Sequence, residues 1–317
     1  MAHQVIEHLI NCKSVALFTH VNPDCDCMGS AFALRNVLRE RNIRCEVFTE
    51  EPLSDYLSFM GSGVVCFEEN APAPYFECYC AIDVGSIGRM GSWGKYFEQK
   101  ENTACIDHHI RQENFAKVNY IEPERSATGE LIFELISEIN APLSKETASL
   151  LYCAISADTG SFQYSSVNRR TYEIVIALTD AGIDAPKLCS MLYERKTLKQ
   201  LQLQAATIDS VALYGEGKIA VAKLSQAIMK KHNAVKADTE GLANIPRMID
   251  GVMISAFMRE NEDGTIRTSL RALGDYNIEP VARKFGGGGH KKASGCTFYD
   301  LSLSEAEKML VSELLKL

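Results

Sequence analysis

Short apolar runs alternate with helix-like stretches through the first 160 residues of the chain. The runs that predict buried strands are residues 14–20, 45–50, 64–68, 78–83 and 103–107. Helical periodicity covers residues 29–41, 127–139, 145–158 and 169–181, and a short amphipathic helix with Val5, Ile6, Leu9 and Ile10 on one face is predicted at the N-terminus. Alternation of this kind predicts an α/β domain with a mostly parallel sheet flanked by helices.

A long polar helical pattern over residues 194–214 precedes a second set of predicted strands, at residues 218–224, 252–260 and 265–272. The turn Asp263-Gly264 predicts that the last two form a hairpin. Helices are expected at residues 225–232, 278–285 and the C-terminus, the last opened by a capping box from Ser304 to Glu307. We therefore predict a domain over residues 1–190, a helical linker over 191–215 and a smaller α/β domain over 216–317.

Composition is that of an ordinary globular protein, with 46% hydrophobic and 23% charged residues among 317. No stretch reaches the roughly 18 apolar residues of a membrane span, and the first residues lack the pattern of a signal peptide. Eleven cysteines occur without a C-x-x-C pair, which favours free thiols in a reducing compartment. We expect a cytoplasmic protein without a membrane partner.

Charge bears on the kind of ligand. The net charge of −8 does not favour long duplex nucleic acid, whose binding requires the neutralisation of many phosphates. Residues 267–292 are an exception, with six basic residues against two acidic ones. A small positive patch on an acidic protein suits a small anionic ligand.

Aspartate and histidine residues recur where the predicted elements end: His20, Asp24, Asp26, Asp83, Asp107, His108, His109 and Asp158. Because ligands of parallel sheets bind beyond the carboxyl ends of the strands, these residues are expected in one cleft. Imidazole with carboxylate is a ligand set for Mn²⁺, Fe²⁺, Co²⁺ or Zn²⁺. The pattern predicts a two-metal hydrolase centre. Taken singly, Asp83 and Asp158 also fit a helix cap or a turn.

The adjacent histidines call for separate roles, because neighbouring side chains on a strand cannot easily bind one metal together. We assign His108 as a ligand and expect His109 to face the substrate. Two other features are assigned structural rather than functional roles. Trp93 is assigned to packing, and residues 95–101 to a solvated charged surface.

The run Gly286–Gly289 with His290 is the other unusual segment. Consecutive glycines let a backbone approach an anion closely, and residues 290–292 predict a basic helix start suited to phosphate. A flexible linker is the alternative. The chain contains neither G-x-x-x-x-G-K-[ST] nor a strand–G-x-G-x-x-G–helix unit, which disfavours nucleoside triphosphates and dinucleotide cofactors.

Together these segments resemble the DHH/DHHA1 phosphoesterase family, in its nanoRNase/pAp-phosphatase branch. HVNPDCDCMGS resembles H-x-N-P-D-x-D-x-x-G-S, AIDVGS the second Asp motif, IDHH the name-giving motif and AISADTGSF the motif T-D-T-G-x-F. SLRA and FGGGGHKKASG are similar to the DHHA1 signature. Cys25 and Cys27 stand where small residues are usual, and Ala157 where Thr is common; the role of the two thiols is left open.

The resemblance implies a role for each matching residue. His20 and Asp24 would hold one metal, Asp26, His108 and Asp158 the other, and Asp83 would bridge them. Asp107 would orient a histidine, and His109 would contact the substrate phosphate or the leaving oxygen. The substrate's terminal phosphate or base would be held by Arg271, Gly287, Gly288, Gly289 and His290. The implied cofactors are two Mn²⁺ ions, with Co²⁺, Mg²⁺ or Fe²⁺ as alternatives.

The implied activity is hydrolysis of short oligonucleotides and linear dinucleotides to 5′-mononucleotides. It includes conversion of 3′-phosphoadenosine-5′-phosphate (pAp) to AMP and hydrolysis of cyclic dinucleotides. Whether the protein forms a homodimer is left open. Two alternatives remain: a manganese inorganic pyrophosphatase, disfavoured by the GGGGHKKASG ending, and a nucleotide sensor without catalysis, disfavoured by the intact ligand set.

Overall fold

The computed structural model describes residues 2–69, 74–110, 114–239 and 241–317. The chain separates into two compact units, Met1–Arg195 and Lys196–Leu317. Among the described residues, no helix is both long and apolar enough to cross a membrane.

A six-stranded parallel sheet forms the centre of the first unit. Its strands are β1 (Ser14–Phe18), β2 (Arg44–Thr49), β3 (Val64–Cys66), β4 (Cys78–Ile82), β5 (Thr103–Asp107) and β6 (Val118–Ile121). They lie in the order β3-β2-β1-β4-β5-β6, and every pair is parallel. Every residue of β4 and β5 is buried, as expected of strands covered on both faces. The predicted fold class is confirmed.

Seven helices of the described residues surround this sheet: α1 (Ala2–Ile10), α2 (Cys25–Glu40), α3 (Ser92–Glu98), α4 (Thr128–Glu138), α5 (Lys145–Asp158), α6 (Arg169–Asp180) and α7 (Ala185–Cys189). A π-helical turn, Ser190–Glu194, and two 3₁₀ turns, Ser58–Met60 and Ile87–Met90, complete the unit.

The two faces of the sheet have different cores. One is aliphatic and packs α1, α2, α4 and α5 against the strands. The other is aromatic, with the rings of Phe18 and Phe48 stacked 5.0 Å apart and Trp93 packed on both. Phe97 is also buried there, so the prediction of a solvated charged stretch over residues 95–101 holds for the exposed Lys95, Glu98 and Glu101 but not for Phe97. The buried positions of the short helix α3 are Trp93, Gly94 and Phe97, too few to show a clear period in the sequence.

Helix α2 begins four residues before its predicted start. Asp24 is its N-cap, and an Asp24 carboxylate oxygen accepts a hydrogen bond from the Cys27 backbone N–H at 3.0 Å. Asp26 and Cys27 therefore lie in the first helical turn and not in a loop. A cap satisfies amide groups that would otherwise lack partners, so this start is stabilised by the same segment that carries candidate ligands.

The second unit contains a mixed six-stranded sheet in the order β11-β12-β10-β9-β8-β7. The strands are β7 (Ala212–Tyr214), β8 (Ile219–Leu224), β9 (Ile254–Glu260), β10 (Ile266–Ala272), β11 (Gly288–His290) and β12 (Ala293–Phe298). Only β8 and β9 pair in parallel among these described strands. The helices are α8 (Leu198–Asp209), α9 (Gln226–Lys231), α10 (Glu279–Lys284) and α11 (Leu303–Leu314), with 3₁₀ turns at Lys236–Thr239, Leu242–Asn244 and Pro246–Met248.

Two sequence predictions in this unit need correction. The helix predicted over residues 194–214 ends at Asp209, and β7 follows, because residues 212–214 pair with β8. The capping box of α11 joins Ser302 and Glu305, not Ser304 and Glu307. Glu307 is buried and hydrogen-bonds Tyr214 instead.

Candidate metal centre

Three neighbouring strands of the first sheet deliver candidate ligands to one edge. His20 follows β1 by two residues, Asp83 directly follows β4, and His108 directly follows β5. Because β1, β4 and β5 are adjacent and parallel, their carboxyl ends meet. The first turn of α2 and the last residue of α5 bring Asp26 and Asp158 to the same place. The structure thus gathers the residues that the sequence scatters over 139 positions.

Asp26 is held by the start of α4. Its carboxylate accepts hydrogen bonds from the backbone N–H groups of Thr128 at 2.7 Å and Gly129 at 2.9 Å. A Cβ on Gly129 would lie only 2.8 Å from the Cβ of Ala154, so glycine permits this close approach of α4 and α5. Burial raises the pKa of Asp26, the charges of Asp83 and Asp158 raise it further, and the Thr128 N–H opposes them.

Asp83 occupies the middle of the group. Its Oδ2 lies 3.7 Å from His20 Nε2, and its Oδ1 lies 3.7 Å from His108 Nε2 and 3.5 Å from His109 Nδ1. Its backbone φ of 61° is left-handed, a strained conformation that is over-represented at functional sites. Burial opposes ionisation, but the hydrogen bond with His20 and the neighbouring imidazoles outweigh it and lower the pKa of Asp83 to about 2.

The Nε2 atoms of two imidazoles point at carboxylates. His108 Nδ1 lies 3.1 Å from the Arg125 carbonyl oxygen, and its Nε2 lies 3.3 Å from Asp158 Oδ2 and 3.7 Å from Asp26 Oδ2. His20 Nδ1 lies 3.0 Å from the Val21 carbonyl oxygen. With Nδ1 at a carbonyl oxygen, Nε2 is the ring nitrogen directed at the carboxylates, which is how metal-binding histidines are oriented.

Negative charge is in excess in this group. Four carboxylates, those of Asp24, Asp26, Asp83 and Asp158, face two such imidazoles. Burial opposes protonation of His20, but the interactions of its ring with Cys27, Asp83 and Asp24 raise its pKa to about 12. Burial also raises the pKa of Asp158 to about 6, against the lowering effect of His108. Cations would relieve this repulsion, so the donor chemistry fits metal ions.

Donor atoms come within 4.8 Å of one another in three groups of described residues: His20 with Cys27 and Asp83, Asp83 with His108 and His109, and Asp26 with His108 and Asp158. Asp24 is placed differently from the others, because one of its oxygens caps α2 while Oδ2 lies 3.9 Å from His20 Nε2. The residues present could therefore hold metal ions.

His109 has surroundings unlike those of His108. Its side chain is 42% exposed, and its Nδ1 lies 2.8 Å from Asp107 Oδ1, which also accepts from the His109 backbone N–H at 3.0 Å. The hydrogen bond with Asp107 raises the pKa of His109 to about 9, against the effect of burial. Asp107 itself is fully buried and so fixes the ring.

Sequence reasoning missed the residues that support the ligands. Thr128 Oγ1 donates to Asp83 Oδ1 at 2.7 Å, while its backbone N–H binds Asp26. Thr128 and Gly129 are therefore the link between the two aspartates. The only sequence signal is the small-residue stretch Ser126-Ala127-Thr128-Gly129 at a helix start, which is also typical of ordinary caps.

In the second unit, Arg271 and His290 share one row of the sheet. Arg271 on β10 pairs with Ala293 on β12, and Ala293 pairs in turn with His290 on β11. Residues paired in this way point to the same face of a sheet. His290 is exposed and Arg271 is partly exposed.

The glycine run is a strand and turn, so the helix start predicted at residues 290–292 is wrong. Gly288–His290 forms β11, and β12 begins at Ala293. The glycines have a steric reason: a Cβ on Gly287 would lie 2.0 Å from the Gly295 carbonyl oxygen, and Gly289 has a φ of 140°. The close contact between β11 and β12 therefore explains why glycine is needed at some positions of this run, whether or not the run binds an anion.

A parallel α/β sheet with carboxylates and imidazoles at its carboxyl edge, in one chain with a second α/β unit, fits a phosphoester hydrolase with a metal centre. The model of the DHH family N-terminal domain matches residues 14–155, and that of the DHHA1 domain matches residues 216–316. The chain belongs to the DHH/DHHA1 phosphoesterase family, as its motifs predicted, and is a hydrolase of ester bonds.

The relatives include a probable bifunctional oligoribonuclease and PAP phosphatase, NrnA, of Streptococcus mutans, 27% identical over 96% of this chain and 95% of that protein. A cyclic-di-AMP phosphodiesterase, GdpP, of Geobacillus thermodenitrificans is 29% identical over 98% of this chain but only 48% of its own length. An exopolyphosphatase-related protein of Bacteroides fragilis has a similar structure, with a TM-score of 0.88, 27% identity and coverage of 100% of this chain and 97% of its own.

Proposed function

We propose that this protein is a two-metal phosphoesterase, with Mn²⁺ as the preferred ion, that hydrolyses short oligonucleotides and linear dinucleotides to 5′-mononucleotides. The observation that carries the proposal is the position of Asp83, whose two oxygens face His20 on one side and His108 on the other. A carboxylate shared in this way is suited to bridge two cations. The name of the Streptococcus mutans relative, which this chain matches over nearly its full length, supports the same substrate class.

In this proposal His20, Asp24 and Asp83 would hold one cation, and Asp26, Asp83, His108 and Asp158 would hold the other. Divalent cations bound there would supply Lewis-acid chemistry, making a water more acidic and offsetting charge on the phosphoryl oxygens. Thr128 fixes Asp26 and Asp83 by the contacts described above. The protein thereby provides a preorganised set of charges, so that little reorganisation is needed when the phosphate reacts.

His109 is the proposed catalytic residue that contacts the substrate phosphate. Because Asp107 engages Nδ1, Nε2 of the half-exposed ring is available for the substrate. A protonated imidazole can donate a hydrogen bond to a phosphoryl oxygen or a proton to the leaving 3′-oxygen. Arg271 and Gly287–His290 are proposed to bind a terminal phosphate or base, since they combine a guanidinium, an exposed imidazole and a glycine backbone.

Two further substrates belong to the proposal. The pAp activity in the Streptococcus mutans name favours conversion of pAp to AMP. The cyclic-di-AMP phosphodiesterase supports a second candidate, cleavage of cyclic dinucleotides, because its matching portion covers 98% of this chain. Both reactions transfer a phosphoryl centre to water and need the same donor set.

A substrate panel tests the proposal. Metal-stripped protein reconstituted with Mn²⁺ is assayed on pApA, pGpG, a short RNA oligomer, pAp, cyclic di-AMP and pyrophosphate, with products separated by chromatography. We expect 5′-mononucleotides from the linear dinucleotides and no turnover of pyrophosphate. Pyrophosphate hydrolysis without dinucleotide cleavage would replace the proposal with the pyrophosphatase alternative, and tight dinucleotide binding without turnover would replace it with the sensor.

A further inference from the structure

Cys27 lies inside the candidate metal centre. It occupies the first turn of α2, its side chain is fully buried, and its Sγ falls within 4.8 Å of donor atoms of both His20 and Asp83. Asp24, the third ligand proposed above for the cation at His20, uses one oxygen to cap the helix. The cation position at His20 is therefore the one with a sulfur atom available to it.

The spacing is close to that of a coordination sphere. Tetrahedral zinc with a sulfur at about 2.3 Å and a nitrogen at about 2.0 Å places those two donors roughly 3.5 Å apart. His20 Nε2 and Asp83 Oδ2 are already 3.7 Å apart. Because Cys27 Sγ lies within 4.8 Å of these two donors, a movement of about 1 Å would bring it to the same spacing.

The donor group at the other position, as found among the described residues, contains no sulfur. Its donors are Asp26, His108 and Asp158, which are oxygen and imidazole ligands. Oxygen-rich sets suit Mn²⁺ and Mg²⁺, while thiolates select Zn²⁺ and other softer ions. The two positions therefore differ in ligand softness although they share Asp83.

We propose that Cys27 is a metal ligand at the His20 position, so that the centre binds a softer ion there, Zn²⁺ or Co²⁺, and Mn²⁺ at the Asp26–His108–Asp158 position. The proposal rests on the two-metal function proposed above and adds the identity of the ions. As the Sγ–metal bond forms, the S–H bond breaks and its proton passes to solvent. The hydrogen bond that Cys27 Sγ now donates to the Ile82 carbonyl oxygen at 3.4 Å is lost in the same step.

Cobalt reports directly on thiolate ligation, because Co²⁺ bound to thiolate has a near-ultraviolet charge-transfer band. Metal-stripped protein is titrated with Co²⁺ in the wild type, in Cys27→Ser and in Cys25→Ser. Cys25 is the matched control: it is buried in the same helical turn, and its Sγ donates to Tyr56 Oη at 3.5 Å. We expect the band in the wild type and in Cys25→Ser and its loss in Cys27→Ser.

Competition titrations give the second readout. Cys27→Ser is expected to weaken Zn²⁺ binding by at least about tenfold, as loss of a ligand should, while the affinity for Mn²⁺ changes much less. Wild-type protein loaded with two Zn²⁺ is also measured by X-ray absorption, which needs no variant to fold. One sulfur neighbour at about 2.3 Å for every two zinc ions is expected.

The possible results distinguish failure of the Cys27 proposal from failure of the proposed phosphoesterase function. Stoichiometric Co²⁺ binding without the band, a band that persists in Cys27→Ser, or zinc with no sulfur neighbour would show that Cys27 only packs, and would leave the phosphoesterase intact. Failure of the protein to bind any divalent ion would overturn both proposals.

Discussion

Replacement of Asp83 by asparagine tests the centre most sharply, because one side chain faces three imidazoles. The substitution keeps the shape of the group and removes its charge. Asp83 Oδ1 accepts from Thr128 Oγ1 at 2.7 Å, and an asparagine carbonyl can keep that contact. The variant therefore isolates the charge that the two proposed cation positions share.

The pKa of Asp83 sets the size of the effect in metal-free protein. A shift from 3.8 to about 2 corresponds to about 2 kcal/mol of preference for the charged form in the folded state. Because the folded pKa is depressed, this stability is present above the unfolded pKa and is lost as pH falls through 2. At neutral pH we expect metal-free Asp83→Asn to be less stable by about 2 kcal/mol.

Metal ions should enlarge the difference. A cation at 100 times its Kd stabilises a protein by about 2.7 kcal/mol, so two cations give about 5 kcal/mol. For a unit of this size each kcal/mol raises Tm by about 2–4 °C, which predicts a rise of about 10–20 °C with Mn²⁺. In Asp83→Asn both positions lose a ligand, and the rise should fall below half.

Thermal unfolding with chelator and with excess Mn²⁺ measures both quantities, and turnover of pApA is followed on the same samples. Asp180→Asn, an exposed aspartate at the end of α6, is the control and should behave as wild type. A wild-type Mn²⁺ shift retained in full by Asp83→Asn, or full hydrolysis by that variant, would refute the bridging role.

The remaining predictions concern support of the centre and the second unit. His109→Asn should lower kcat for pApA by about 10²–10⁴-fold yet keep the Mn²⁺-induced rise in Tm, and a lost rise would make His109 a metal ligand instead. Because its pKa is raised to about 9, His109 stabilises metal-free protein below pH 6.5 and loses this effect as pH rises through 9. In urea unfolding, the free energy of unfolding of the wild type should fall by about 1 kcal/mol more than that of His109→Asn between pH 6.5 and 9. This value is discounted because the ring is half exposed, and parallel pH profiles of the two proteins would contradict it. Thr128→Val should weaken Mn²⁺ about 10–100-fold by freeing Asp83, measured by titration, with Thr179→Val on α6 as the unaffected control. Gly287→Ala should destabilise the second unit by more than about 1 kcal/mol in urea, because its Cβ would meet the Gly295 carbonyl oxygen. The control is Gly288→Ala at the next position, where a Cβ would meet no atom within 4 Å, and equal losses would contradict the strand contact.

The fold could be predicted from the sequence where burial alone determined the residue pattern. Buried strands such as β4 and β5 are apolar throughout because both faces are covered, so their ends, and the polar residues after them, were visible. Strand order could not be read from periodicity, but any parallel order puts these ends on one edge. Hence His20, Asp83 and His108 could be placed together before their distances were known.

Other features depended on tertiary contacts. The predicted start of α2 lies four residues too far along the chain, because Asp24 is both the N-cap of the helix and a candidate metal ligand. The strand β6 is four residues long and only Tyr120 in it is buried, which leaves too weak a pattern. β11 consists of two glycines and a histidine, which have little strand propensity. It forms because it pairs with β12 in the antiparallel direction.

The support of the carboxylates was also invisible in the sequence. Thr128 and Gly129 are 102 and 103 positions away from Asp26, and nothing in their local composition points to an aspartate. The proximity of Cys27 to His20 follows from the helical turn after Asp24, which places Sγ against the end of β4.

Isotope labelling of the products tests the central claim most directly. Mn²⁺-reconstituted protein is incubated with pApA in water enriched in ¹⁸O, and the mononucleotides are analysed by mass spectrometry. Attack of water on the bridging phosphorus with cleavage of the 3′-oxygen bond predicts AMP as the product, with one solvent oxygen in the phosphate of half of the molecules and no reaction in metal-stripped protein. Unlabelled AMP, a 3′-phosphate product, or equal turnover without metal would contradict a metal-dependent phosphoesterase that releases 5′-mononucleotides.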